Sequence, residues 1–237
     1  MGVCFVYDLI NGLLTPTHLK EVTKFMKNGG LCVLPSDSAY ILTGLLSLDN
    51  NKMTKDLDTL LERKGMKMSL SISDENSAAQ RMQLSNMAYN FIKQVKSEGI
   101  TFVADPRNDT LNKFSKDRLM TTDGTIGIRI SRSPVEVQLA KQNLMFPSTP
   151  IRDNSGKVVC TLKEAEKIVR ERLTNTGINR DVGLIEGVVP YPGDLSTVVK
   201  EEYYNGFWFL RIIREGTITH DRVKSVALEC QYKGILK

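Results

Sequence analysis

The stretch Leu31-Cys-Val-Leu-Pro-Ser-Asp-Ser-Ala-Tyr40 decides how this chain is read. A short apolar run stops at Pro35 and gives way to hydroxyl, carboxylate, hydroxyl and phenol groups. An apolar run of this length bounded by a proline predicts a buried strand. The polar residues after it predict a loop at the strand's carboxyl end, able to hold a small ligand. Immediately upstream, Thr15-Pro16 supplies an N-cap and a first-turn proline for a helix. Leu19, Val22, Phe25 and Met26 fall on one face of that helix, and Gly29-Gly30 ends it.

Further along, helices and strands alternate. Met53, Leu57, Leu60 and Leu61 mark an amphipathic helix after Asp49, and residues 69–72 read as a short strand. Ser85 caps a helix that turns Met87, Phe91, Ile92 and Val95 inward. Strands are predicted at 100–104 and 125–130. Ser133-Pro-Val-Glu136 and Thr161-Leu-Lys-Glu164 both have the form of capping boxes, the first with proline at the first helical position. The second opens a helix that buries Ala165, Ile168, Val169 and Leu173. Strands follow near 183–186, 195–200 and 207–213, the last two joined across Tyr203-Tyr-Asn-Gly206. A short helix near 220–229 closes the pattern. This is a mixed α/β (α+β) arrangement with a strand-rich final third, which favours a mixed sheet over a fully parallel one. The polar stretch 105–124 is too short to separate two domains, so residues 1–237 are expected to form one.

Composition narrows the function classes. Of the 237 residues, 41% are hydrophobic and 25% charged, enough apolar material for a sizeable core. A net charge of +5 suits an anionic partner such as a nucleotide or RNA, although it equally suits an ordinary soluble surface. Cys4, Cys32, Cys160 and Cys230 lack metal-ligand spacing, and Cys32 reads as a small core residue. Reduced thiols, no signal-peptide pattern and no apolar segment of membrane-spanning length give a cytoplasmic expectation. No GxxxxGK[ST] loop occurs: Ser155-Gly156-Lys157 is followed by valine, with Ile151 at the first glycine position. No GxGxxG fingerprint occurs either. The only histidines, His18 and His220, lie near the two ends, leaving little material for a zinc site or a Ser-His-Asp triad. A chemistry that needs positioning and charge neutralisation rather than an imidazole fits this lack, and adenylyl transfer is one.

Five segments occur in a telling order: Gly30-Leu-Cys-Val-Leu-Pro-Ser-Asp-Ser-Ala-Tyr40, Thr125-Ile-Gly-Ile-Arg-Ile130, Asn154-Ser-Gly156, Asp194-Leu-Ser-Thr-Val-Val199 and Leu210-Arg-Ile-Ile-Arg-Glu-Gly216. Together they resemble the YrdC/YciO family, whose pattern runs P-T-D-T-x-Y-G-L, K-x-R, G-x-R, S-A-N-x-S-G, S-T-V and R-x-G. The resemblance covers roughly residues 17–218 and leaves a short extension at 219–237. It implies a twisted mixed sheet with flanking helices around a basic concave cavity. It also implies a nucleotidyltransferase that makes threonylcarbamoyl-adenylate from threonine, bicarbonate and ATP with Mg2+, releasing pyrophosphate. That product feeds modification of adenosine 37 in tRNA, through a partner in the transferring complex. Some relatives bind double-stranded RNA.

Carried onto this sequence, Ser36, Ser38 and Tyr40 would line the amino-acid end of the site. Their plainer alternative is a polar turn closed by Asp37. Arg129, Ser196 and Arg214 would face the nucleotide phosphates, arginine gripping phosphate oxygens bidentately. Their plainer readings are a solvated strand residue, a strand-end cap and a surface ion pair with Glu215. Several positions depart from the family pattern. Ile41 replaces the glycine after the tyrosine. No K-x-R exists near 62–67, where Arg63, Lys64 and Lys67 would supply the charge. Ile151-Arg152-Asp153 stands where S-A-N is usual, so the nucleotide segment becomes Asp153, Asn154 and Ser155, with Arg152 or magnesium offsetting the carboxylate. These departures place the chain nearer the YciO side. A catalytically weakened RNA-binding paralogue is the alternative, with Lys163, Lys167, Arg170 and Arg172 recurring along one helix. Charge at that spacing is also what a solvated helix face carries.

Overall fold

The computed structural model describes residues 3–46, 51–62, 68–111, 123–142 and 144–235. In chain order the elements are β1 (Val3–Asp8), α1 (Pro16–Lys27), β2 (Leu31–Pro35), β3 (Tyr40–Gly44), α2 (Asn51–Leu60) and β4 (Leu70–Ile72). Next come α3 (Glu75–Arg81), α4 (Asn86–Val95), β5 (Ile100–Ala104), α5 (Asn108–Leu111), β6 (Ile126–Ile130) and α6 (Pro134–Ala140). The chain continues with α7 (Leu162–Thr176), β7 (Val182–Glu186), β8 (Thr197–Tyr204), β9 (Phe207–Arg214) and α8 (His220–Ile235).

The expected mixed pairing is present, divided between two sheets of order β1-β7-β2-β3 and β4-β6-β5-β8-β9. In the first, β1 and β2 run parallel to β7, and β3 returns antiparallel to β2. In the second, β4 is parallel to β6 and β5 to β8, while β5–β6 and β8–β9 are antiparallel.

The apolar run at 31–35 has a simple cause. Both faces of β2 are covered, so every residue in it is buried. Cys32 and Leu34 pack with Val22 and Met26 of α1 and with Val135 and Leu139 of α6. Leu31 and Val33 face the larger core, with Met53 and Leu57 of α2 and Val169 of α7. Burial pushes the Cys32 thiol far above its usual range, which keeps it an inert core group.

The second sheet alternates instead. Leu70, Ile72, Ile100, Phe102, Ile128 and Ile130 point into the same larger core, against Phe91 and Ile92 of α4 and Val223 and Val226 of α8. The opposite face carries Ser71, Arg129 and Thr101 side by side in register. Period-two alternation thus sets one oily and one polar face on the sheet. The polar face looks toward the turn that follows β2.

Local signals placed most elements well. Thr15, Ser85 and Thr161 each cap their helix through the side-chain oxygen. The Ser133 box behaves differently. Ser133 sits at the N-cap without a side-chain cap bond. Its hydroxyl donates to the Pro35 carbonyl at 2.9 Å, and Glu136 is drawn away into a buried network. Three elements carried no clear local signal: β1, β3 and the seven-residue α3. Within the expected loop at 105–124, α5 occupies 108–111, and 112–122 lie outside the described residues.

Candidate functional site

The segment after β2 is a tight turn. Pro35 pairs with Tyr40, and Ser36 N–H donates to the Ala39 carbonyl at 2.8 Å. The connecting segment 187–195 crosses over it. Tyr191 N–H donates to Asp37 O and Gly193 N–H to Ser38 O, each at 2.9 Å. Tyr40 hydroxyl donates to Gly187 O at 2.8 Å and accepts from Gly187 N–H at 3.1 Å. Burial raises the Tyr40 phenol above its ordinary value, so it stays protonated.

Beneath the turn, Ser36 Oγ donates to Glu136 Oε2 at 2.6 Å, and Ser71 Oγ donates to Glu136 Oε1 at 2.9 Å. Glu136 is wholly buried. Asp37 accepts from Arg129 Nη2 and, at 3.3 Å, from the Arg132 backbone N–H, with Arg132 Nε at 3.5 Å. Burial alone would push the Asp37 carboxyl up. The Arg129 guanidinium and the Arg132 contacts outweigh it and hold the carboxyl below the usual carboxylate range. Arg132 also lies over the Tyr191 ring, 3.6 Å from its centroid, a cation–π contact. Arg129 Nε and Arg132 Nη2 are buried with no hydrogen-bond acceptor.

On the neighbouring strands, Thr101 and Ser196 hydroxyls lie 2.8 Å apart. Arg214 donates through Nη2 to Ser196 O at 2.8 Å and to Ser196 Oγ at 3.3 Å. Burial depresses the Arg214 guanidinium, and the positive charges of Arg129 and Arg152 depress it further. Arg214 thus lies within electrostatic reach of both Arg129 and Arg152.

The sequence-predicted residues fall into three groups. Ser36, Ser38, Tyr40, Arg129, Ser196 and Arg214 come together, linked through Asp37 and Thr101. Asp153, Asn154 and Ser155 form an exposed turn beside them. Asp153 Oδ1 accepts from Ser155 N–H, Ser155 Oγ and Lys157 N–H at 2.7–2.9 Å, so its carboxylate is already occupied in holding that turn. The Ser155 contact is the main reason this carboxyl lies below its usual value. Arg63, Lys64 and Lys67 lie outside the described residues.

The basic stripe expected on α7 is largely internally balanced. Arg170 pairs with Glu166 and Lys167 with Glu171. Arg172 is buried, donating to Leu60 O, Glu62 and Arg152 O at 2.9–3.0 Å. It fastens α7 to its neighbours and does not face solvent. Sequence reasoning did not single out Arg132, Tyr191, Glu136, Ser71 or Thr101. Arg132, three residues after Arg129 and just past the strand end, offered a signal; Ser71 and Thr101 offered none until the strands were set in register. Among the described residues, no three His, Cys, Asp or Glu side chains gather to hold a metal ion. No helix in them is long and apolar enough to cross a membrane.

The fold and this site define an α/β protein with an arginine-bearing polar sheet face against the turn at the carboxyl end of a buried strand. The sequence profile of the Sua5/YciO/YrdC family, described as telomere recombination, matches residues 24–216, and the chain belongs to that family. Among solved structures it is similar to E. coli YciO, with a TM-score of 0.70, 16% identity, and coverage of 91% of this chain and 96% of that one. It is also similar to P. abyssi Sua5 complexed with L-threonine, with a TM-score of 0.71 and 12% identity over 94% of this chain and 60% of that one. A third is full-length HypF in its phosphate- and nucleotide-bound form, with a TM-score of 0.61 and 16% identity over 84% of this chain and 29% of that one. The chain thus spans little more than half of Sua5 and under a third of HypF. A comparison with curated proteins finds no match.

Proposed function

We propose that this protein is a threonylcarbamoyl-adenylate synthase-like nucleotidyltransferase. The observation that carries the reading is Arg129 seated on Asp37 of the Ser36–Tyr40 turn, with Arg214 on β9 within electrostatic reach of it. Threonine in the Sua5 structure and nucleotide in the HypF structure support it for their shared fold. Threonine's amino group condenses with bicarbonate, losing water, to give a carbamate. The carbamate oxygen then attacks the α-phosphorus of ATP, and pyrophosphate leaves.

Each side chain has a task in that reaction. The turn with Ser36, Ser38 and Tyr40 orients the amino acid. Arg129 and Arg214 neutralise charge on the phosphates as it develops, worth ~3 kcal/mol for one well-placed donor. Ser196, pinned by Thr101, orients Arg214. Magnesium belongs to this scheme as part of the nucleotide substrate, carried on the triphosphate. The larger core draws side chains from both sheets, which supports a single working unit. The adenylate would pass to a tRNA-modifying complex, and the cytoplasm is the compartment that supplies it.

Pyrophosphate release tests the reading. It is expected to require threonine, bicarbonate and magnesium–ATP together. No release with any amino acid, alongside salt-sensitive RNA binding, would replace it with the RNA-binding paralogue. The internal ion pairs on α7 weigh against that alternative.

A further inference from the structure

Beyond the sheet's contact with β5, strands β8 and β9 continue as a free ribbon. The β5–β8 ladder ends at Lys200, whereas the β8–β9 ladder runs on to Tyr204 and Phe207. Asn205 and Gly206 turn it with positive φ values of 50° and 87°, the two-residue hairpin geometry. This ribbon is strongly aromatic and exposed. Tyr204 is 67% and Phe207 76% accessible, and Tyr203, Trp208 and Phe209 are exposed as well. At ~200 Å² per side chain, the five within the ribbon present on the order of 600 Å² to water, divided between its two faces. That is about what each partner buries in a weak, reversible interface, ~600 Å².

The distribution of these groups says how they would be covered. Tyr203 and Trp208 pack against each other on one face, their rings tilted by 50° and 4.9 Å apart. Tyr204, Phe207 and Phe209 occupy the other face, by the alternation of the ladder. A partner lying on either face would leave the other wet. A strand added along the edge would touch both. Among the described residues β9 is that edge, eight residues long, with no proline and no lysine to block pairing. Its cation within the ribbon, Arg211, is already held by Glu202 at 2.7 Å. Alternation from the turn directs the backbone groups of Trp208, Leu210 and Ile212 outward. Of these, Trp208 O meets Gln231 of α8, at 3.4 Å.

We propose that β9 pairs antiparallel with β9 of a second copy of this chain, about a two-fold axis. The two five-stranded sheets then become one continuous ten-stranded sheet. A two-fold contact is closed and self-complementary, so it consumes the edge without open-ended growth. The adenylate reading neither requires nor excludes this dimer.

Sedimentation of the whole chain across a dilution series, with amide hydrogen exchange at both extremes, tests the proposal. A monomer–dimer equilibrium is expected, with the Trp208, Leu210 and Ile212 amides protected only in the dimer. The double variant Phe207→Lys, Phe209→Lys should weaken dimerisation by ~100-fold or more while its circular dichroism and unfolding midpoint stay close to the parent's. A monomer at every concentration would overturn the proposal. So would a dimer whose β9 amides still exchange freely, polydisperse aggregation, or a dimer unaffected by both lysines.

Discussion

At the residue scale, the site rests on charges and hydroxyls that hold one another in place. Arg129 is shared between Asp37 and the proposed phosphate region. Truncating it to alanine would leave the buried Asp37 with only the longer contacts of Arg132 and Ser36, a cost of ~3 kcal/mol in stability as well as activity. Arg129→Lys separates the two effects, because it keeps the charge and loses the bidentate fork. For Arg129→Lys, pyrophosphate release is expected to fall ~100-fold in kcat/KM with little change in the urea midpoint. Glu136 makes a different kind of contribution. Removing it as Glu136→Ala takes the acceptor from Ser71 and leaves Ser36 only its longer contacts with Asp37 and Ser131, and urea unfolding should show a loss of ~2–4 kcal/mol. Glu136→Gln, which can still accept from one hydroxyl, should lose about half of that. Equal losses in the two variants would mean that packing, and not the hydroxyl network, is what Glu136 supplies.

At the element scale, caps and close approaches set the strands' positions. Ser85 caps α4 through Ala88 N–H at 3.1 Å and also donates to Glu201 of β8. Burial pushes the Glu201 carboxyl up despite the Ser85 contacts, so Ser85→Ala removes both a cap and one of the few groups that favour its charge. Thermal unfolding of this variant should report a loss of ~1–2 kcal/mol. Gly216 follows β9 where the chain passes the backbone of Leu195 and Ser196. A Cβ there would collide with the Leu195 carbonyl and the Ser196 backbone, which cannot swing aside as a side chain could. Gly216→Ala should therefore displace Ser196, destabilise by ~1–3 kcal/mol and depress nucleotide turnover even where the protein is folded. Unchanged turnover would remove Ser196 from the site. Capped helices and uninterrupted apolar strands were legible as sequence. β3 was not, although it pairs with β2 just before it, because its polar entry reads as a ligand-holding loop.

At the scale of the whole molecule, the Asp37–Arg129 pair joins the turn of the first sheet to the polar face of the second. The Asp37 carboxyl lies below its ordinary value in the folded protein. Its stabilisation is therefore complete above the ordinary carboxylate range, and it is lost as pH falls through that range to the lowered folded value. Acid titration of the unfolding free energy should show the parent losing stability more steeply than Asp37→Asn below about pH 4. Parallel curves would show that the pair does not fasten the two sheets.

Local chemistry was enough to predict the mixed α/β class, most helix starts, the buried β2 strand and the hydroxyl-bearing turn after it. These features follow from caps, periodicity and apolar length, which act between residues close in the chain. The division into two sheets, the recruitment of Glu136 from a capping box into a buried network, and the diversion of Arg172 and Asp153 into structural bonds were settled by tertiary contact. Each of these depends on which side chain arrives from a hundred or so residues away, or on whether a turn closes on its own carboxylate. A hydrogen bond of that kind has no periodicity to betray it in the sequence.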